Sequence, residues 1–309
     1  MSTANVTCEQ SPADEQLSAG PQPEPADAPR PRARATGPAR YVYCIIDCDE
    51  PADFGPMGIG DDRPEVLAIA CEGIAAVVSA SAADKYEISR GNVLAHQRVM
   101  EVAMRRGYTV LPVRFNTIAE DRDDRSAERR IVENVLTARL DEFSALLSAM
   151  SGCVELGVKG LWTDMEAVFG HLARTNEQVR SLRDRLLAAQ RGPSRLGRGD
   201  AMAHRVKLGE LVKNALEAKK IETRQKLTAH LRPLVKDLRE NETFGDAMFA
   251  NLAILVEKDR HDEVASRLSA FEAERSARGE RDESGQVKLR CVGPVPPSNF
   301  IELVITWDD

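Results

Sequence analysis

The sequence lacks any apolar run long enough to cross a bilayer. A spanning helix needs about 20 predominantly apolar residues, and apolar stretches here such as Ile74–Val78 have strand length. It also lacks a surplus of positive charge. Its 42 Lys and Arg stand against 49 Asp and Glu, a formal net charge of -7, the wrong sign for a face that displaces counterions from phosphates. Neither nucleic acid nor a membrane is an expected partner. No basic-then-apolar leader opens the chain, since residues 1–20 carry Glu9, Asp14 and Glu15 and few aliphatic side chains, so a cytoplasmic location is expected. Aromatic residues are scarce at 5%, and the core must be built from Leu, Val, Ile and Ala.

The sequence is equally poor in clustered chemistry. The five histidines lie far apart, and none forms the closely spaced His or Cys/His pattern that zinc requires. Gly55, Gly58 and Gly60 give a GPMGIG string, but no helix start or correctly placed lysine follows it, so a solvated turn is the better reading. The six cysteines are scattered. Only Cys44 and Cys48 are close, and these read as buried structural thiols rather than a redox pair, which is normally presented at a helix N-terminus. Acidic pairs such as Asp123 with Asp124 read as a solvated face. No catalytic, cofactor or metal residue is assigned, and the chain is expected not to be an enzyme. One charged residue stands out, Arg114 inside an apolar strand, for which Glu101 on a facing helix is the expected local partner.

What is present is a patterned α+β chain in two domains. Residues 1–39, rich in Ala and Pro with charged residues, are expected to form a disordered tail. Residues 40–162 should form an N-terminal domain. It opens with YVYCIID (Tyr41–Asp47), a strand apolar on both faces, and continues with a strand pair turning at Gly73. A helix over Asn92–Arg106 closes at Gly107, with Asn92 as its N-cap. A strand then runs from Tyr108 to Ile118, in which Pro112 implies an edge or a bulge. A helix over Ala127–Met150 and a last strand, Cys153–Trp162, complete a ferredoxin-like sandwich. Residues 163–309 should form the C-terminal domain. Its helical hairpin, 163–240, consists of two long apolar seams with Pro233 kinking the second. An α+β body, 241–309, ends in a strand over Phe300–Trp307.

Several strings carry a resemblance. HQRVMEVAMRRGYTVLPVRFNT (His96–Thr117) contains a near copy of the VLPVRFGT signature of the gas vesicle protein L/F family. YVYCIID is similar to that family's opening YLYGIV strand, and GCVELGVKGLW (Gly152–Trp162) resembles its G-x-VE-x-GVK-x-x-W segment. NLAILVEKD (Asn251–Asp259) matches its N-x-A-x-LV strand, and GPVPPSNF (Gly293–Phe300) its GPWPPYSF end. Cys44 and Asn116 stand where the family commonly has glycine, and Val295 and Ser298 replace aromatics of the terminal motif.

The resemblance implies two domains, a modified ferredoxin-like N-terminal one and a C-terminal one with a helical hairpin. It also implies a minor protein associated with gas vesicles and needed for their formation, acting with the small hydrophobic shell protein of the GvpA type, with other minor vesicle proteins as further candidate partners. Such a subunit exposes apolar surface before assembly, and a soluble partner that covers it prevents aggregation. A minor component built into the wall is the alternative, and a small-molecule sensor or enzyme a more distant one. The expected docking patch is Tyr41, Val42 and Tyr43 on the first strand, with Pro112, Arg114 and Phe115 on the proline-bearing strand.

Overall fold

β1 (Ala39–Ile46) is buried along almost its whole length because it lies between two layers of helix. A register shift between Val42 and Cys44 marks a bulge in its pairing with β4. Tyr41, Tyr43, Cys44 and Ile46 face one apolar cluster, with Val99, Met100 and Ala103 of helix α1 (Arg90–Arg105). Val42 and Ile45 face another, with Ile131, Val135, Leu136 and Phe143. Those four belong to one helical path, in which α2 (Ala127–Arg130) continues through a π-helical stretch, Ile131–Thr137, before α3 (Leu140–Met150).

In this computed structural model the described residues are 39–122, 124–191, 198–282 and 285–307; the tail expected over residues 1–39 falls almost wholly outside them. They divide into two compact units, 39–155 with 294–307 and 156–293. The chain therefore leaves the first unit along β7 (Cys153–Trp162) and returns to it along β10 (Val287–Val295). This differs from the expected boundary after Trp162, and the C-terminal residues belong to the first unit rather than to the second.

The first unit's sheet has the order β2-β3-β4-β1-β5, with β2 Asp53–Pro56, β3 Glu65–Cys71, β4 Ile74–Ser81 and β5 Val110–Pro112; β6, Ile118–Ala119, also pairs with β1. The β3–β4 turn falls at Gly73 as expected, with Glu72 and Gly73 both at positive φ, 50° and 89°. α1 begins one turn earlier than expected. Ser89 is its N-cap and accepts from Asn92 N–H at 3.2 Å, so Asn92 is the capped residue and not the cap.

The ferredoxin-like succession expected of residues 40–162 runs instead through the second unit. β7, the helices α4 (Met165–Thr175), α5 (Glu177–Arg191) and α6 (Arg198–Leu231), β8 (Asp237–Glu240), β9 (Met248–Glu257), α7 (His261–Asp282) and β10 follow one another as β-α-β-β-α-β. The sheet order is β10-β7-β9-β8. The first hairpin seam is interrupted where Asn176 ends α4 and caps α5, accepting from Val179 N–H at 3.1 Å. The second ends where Pro233 supplies no amide. A 3-10 turn over Arg232–Leu234 follows Leu231, and Leu238 then lies in β8 rather than on the helix. α4 and α5 both pack on α6, whose buried face, including Leu216, Thr223, Leu227 and Leu231, recurs at helical spacing.

Candidate functional site

The residues of the RFNT string form a tight turn tied to the aromatic layer beneath it. Beyond β5 the chain bends at Asn116, whose φ of 66° is left-handed; asparagine tolerates that conformation where most side chains do not. This turn breaks the single strand expected from Tyr108 to Ile118. Asn116 accepts from Tyr86 N–H through Oδ1 and donates to the Tyr86 carbonyl through Nδ2, both at 2.8 Å. Its own N–H donates to the Tyr41 hydroxyl at 3.1 Å. The Tyr41 hydroxyl lies 3.0 Å from His96 Nδ1, while His96 makes a further hydrogen bond to the Val113 backbone.

Burial drives the His96 pKa down to about 4 against the opposing pull of the Val113 bond, so the ring is neutral at physiological pH. Burial likewise raises the Tyr43 phenol to about 12. Tyr43 accepts from Ile59 N–H at 2.7 Å and shares a 2.8 Å hydrogen bond with Ser79. These rings and Phe115 meet edge-on or tilted, at 4.8 to 6.2 Å between centroids. Such a layer is a rigid, satisfied core.

The expected docking residues therefore separate. Tyr41, Val42 and Tyr43 are at most 1% exposed, because α1 covers one face of β1 and the α2–α3 path covers the other. The expected docking role of Tyr41, Val42 and Tyr43 is corrected by this second layer, which leaves β1 no surface to offer. Pro112 is buried, Arg114 exposed and Phe115 half-buried. Arg114 does not pair with Glu101, which accepts instead from Gln97 at 2.8 Å. Its guanidinium lies 3.5 Å from Glu302, with both side chains more than half exposed, a geometry worth about 0–1 kcal/mol.

The presence of Glu302 here reveals a feature that the sequence did not place. Residues 299–307 lie against the outer edge of β5. The Leu303 N–H donates to the Pro112 carbonyl at 2.8 Å, and the Arg114 N–H donates to the Leu303 carbonyl at 2.9 Å, forming a single parallel bridge between Val113 and Leu303. The proline's missing amide lies on this outer side, as expected for an edge strand. Ile301, Leu303, Ile305 and Trp307 pack on the cluster beneath β1, whereas Glu302, Val304 and Thr306 are exposed. The Arg130 guanidinium lies 5.5 Å from the Trp307 ring centroid, and Arg139 donates to the Val304 carbonyl at 3.2 Å. The period-2 pattern of this segment was the available signal; its partner was not readable.

Among the described residues no group of three His, Cys, Asp or Glu side chains is placed to hold a metal ion, and no helix is long and apolar enough to cross a membrane. Cys44, Cys48, Cys71 and Cys153 carry free thiols, and burial pushes the Cys44 thiol far above its ordinary range.

Comparison with known proteins gives a consistent result. Residues 39–302 match the family described as gas vesicle synthesis protein GvpL/GvpF. Gas vesicle protein F of Streptomyces sp. (strain CB03234) is 28% identical over 264 residues, covering 85% of this chain and 100% of that protein. Gas vesicle protein L1 of Halobacterium salinarum is 25% identical over 271 residues, covering 84% and 89%. The crystal structure of the gas vesicle protein GvpF from Anabaena sp. PCC7120 superposes with a TM-score of 0.67 at 21% identity, covering 86% of this chain and 99% of that one. The corresponding structure from Microcystis aeruginosa gives 0.63 at 20% identity, covering 86% and 100%. These two likenesses establish the shared fold.

Proposed function

The chain belongs to the gas vesicle synthesis protein GvpL/GvpF family, and from that membership we propose that it is a non-enzymatic assembly factor that binds the hydrophobic shell subunit and keeps it from aggregating before it joins a growing vesicle wall. The observation that carries this reading is the sheet edge at β5. Among the described residues its outward side has one paired residue of the C-terminal segment, and Pro112 cannot extend that ladder. Arg114, exposed beside this edge, and the half-buried Phe115 complete the patch. A sheet edge flanked by an apolar layer is a surface on which an aggregation-prone strand can be held by main-chain pairing and side-chain burial together.

The test is co-purification. With tagged full-length chain and shell subunit expressed together, Arg114→Glu should reduce recovery of the subunit about tenfold or more, as expected when a central contact is replaced by the opposite charge. The circular dichroism spectrum should stay unchanged. Undiminished recovery would place the contact elsewhere, and no recovery with the parent chain would reject the function.

A further inference from the structure

The two buried tyrosines of β1 differ in what their hydroxyls hold. Tyr41 and Tyr43 stand two positions apart and both are fully buried. The Tyr43 hydroxyl accepts from Ile59 N–H at 2.7 Å and bonds Ser79 at 2.8 Å, so it ties down the loop between β2 and β3. The Tyr41 hydroxyl accepts from Asn116 N–H at 3.1 Å and lies 3.0 Å from His96 Nδ1. It therefore holds the turn that carries Arg114 and Phe115. The Phe115 ring rests on the same two residues, 6.2 Å from Tyr41 and 5.6 Å from His96 between centroids. Thr117 closes the turn by donating its hydroxyl to the Arg114 carbonyl at 2.7 Å.

We propose that Tyr41 and His96, although buried, are positioning residues for the partner: a hydrogen-bond chain from Asn116 N–H to the Tyr41 hydroxyl to His96 Nδ1 fixes the turn that presents Arg114 and Phe115. This rests on the reading that those two residues meet the shell subunit, and it adds the buried groups on which that contact depends. The direction of the chain follows from its first member. Asn116 N–H can only donate, so the Tyr41 oxygen accepts there, and its own proton is directed to Nδ1. A neutral imidazole has one acceptor nitrogen to receive it. With a proton on Nδ1 instead, two donors would meet the hydroxyl oxygen and the phenol proton would be left unpaired in a fully buried position. A turn fixed in this way loses little freedom when a partner binds, and a loosened one must be ordered first.

Tyr41→Phe removes one oxygen and keeps the ring. Tyr43→Phe is its control, equally buried and losing two hydroxyl bonds of its own. Amide hydrogen exchange and co-purification of the shell subunit are measured on full-length chains, with circular dichroism to confirm folding. In Tyr41→Phe the Tyr86 amide, whose acceptor is Asn116 Oδ1, should exchange about tenfold faster as the turn opens. Recovery of the subunit should fall about threefold or more. Tyr43→Phe should accelerate exchange at Ile59 and leave both of those readouts at parent values. His96→Leu, which removes the acceptor of the phenol proton, should act in the same direction as Tyr41→Phe, and nitrogen NMR of the parent chain at neutral pH should show Nδ1 without a proton. A protonated Nδ1, unchanged Tyr86 exchange in Tyr41→Phe, or equal losses of recovery in Tyr41→Phe and Tyr43→Phe would overturn the inference. Recovery lost in Arg114→Glu but kept in Tyr41→Phe would overturn it too, and would leave the proposed function standing. A parent chain that recovers no subunit would remove that function and this inference with it.

Discussion

Asn299 places both its backbone N–H and its side-chain amide on the carboxylate of Glu155, a residue only 4% exposed. Burial raises the pKa of that carboxyl, and the two Asn299 bonds oppose the rise. The pair connects the VE of one motif-bearing segment to the SNF of another, across more than a hundred intervening residues. Asn299→Ala removes one donor from a buried carboxylate, at a cost of about 1–3 kcal/mol. The cost should appear locally. Amide hydrogen exchange at Leu303 and Arg114 should accelerate about tenfold while exchange in β1 and β4 is unchanged; uniform acceleration across the first unit would show that the segment is part of its global core.

The neutral, buried His96 makes the first unit sensitive to mild acid. Its pKa falls from 6.5 to about 4 in the fold, so between those values the unfolded chain takes up a proton that the folded chain refuses. The stability contributed by this residue is complete above about pH 6.5 and is lost as pH falls toward 4, amounting to at most about 3 kcal/mol. Glu155 has the opposite sign, because its pKa is raised. Its contribution is present below its ordinary pKa and is lost as pH rises through the folded value. Urea unfolding at intervals from pH 7 to 4.5, compared with His96→Gln, should show a steeper loss for the parent chain. Parallel curves would mean that the imidazole is protonated in the fold.

Asn116 tests the turn that separates β5 from β6. Asn116→Gly keeps the left-handed backbone easy but removes both side-chain bonds to Tyr86, at about 1–2 kcal/mol. Asn116→Ala removes the same bonds and adds the strain of a φ of 66°, about 1 kcal/mol more. The alanine variant should therefore melt below the glycine variant, and both below the parent. Equal melting of all three would show that the bonds to Tyr86 contribute nothing net.

Local pattern made much of this fold legible. The doubly apolar YVYCIID predicts a strand covered on both sides, or on one face with a partner surface on the other, and β1 is covered on both; Gly73 predicts the β3–β4 turn, and Pro112 predicts an edge or a bulge, of which the sheet order has the edge. The failures concern what a segment meets. A period-2 pattern says which side chains share a face but not which sheet the segment joins, so Ile301, Leu303, Ile305 and Trp307 were assigned to the second domain while they pack on the first. The docking patch shows the same gap, because the α2–α3 path is a second covering layer and buries Tyr41, Val42 and Tyr43. At Pro233 the leucine seam continued past a residue that ends the helix, and chemistry at one position overrode periodicity.

In the second unit the close approach of Gly160 and Phe249 gives a prediction whose sign opposes ordinary propensity. Glycine inside a strand normally weakens it, so alanine would be expected to stabilise β7. Here a Cβ on Gly160 would lie 2.5 Å from the Cε2 and Cζ atoms of Phe249. That ring is fully buried and packs on Trp162 at 5.1 Å between centroids, so it has no free direction in which to move. Gly160→Ala should therefore destabilise by about 1–3 kcal/mol, the usual cost of overpacking. The double variant Gly160→Ala with Phe249→Leu separates this cause from a backbone effect. If the ring is the obstacle, the second change costs less in the alanine background than in the parent, with a coupling of about 1 kcal/mol or more. Strictly additive effects in chemical unfolding would mean that the glycine is required by the strand itself and not by the ring lying on it.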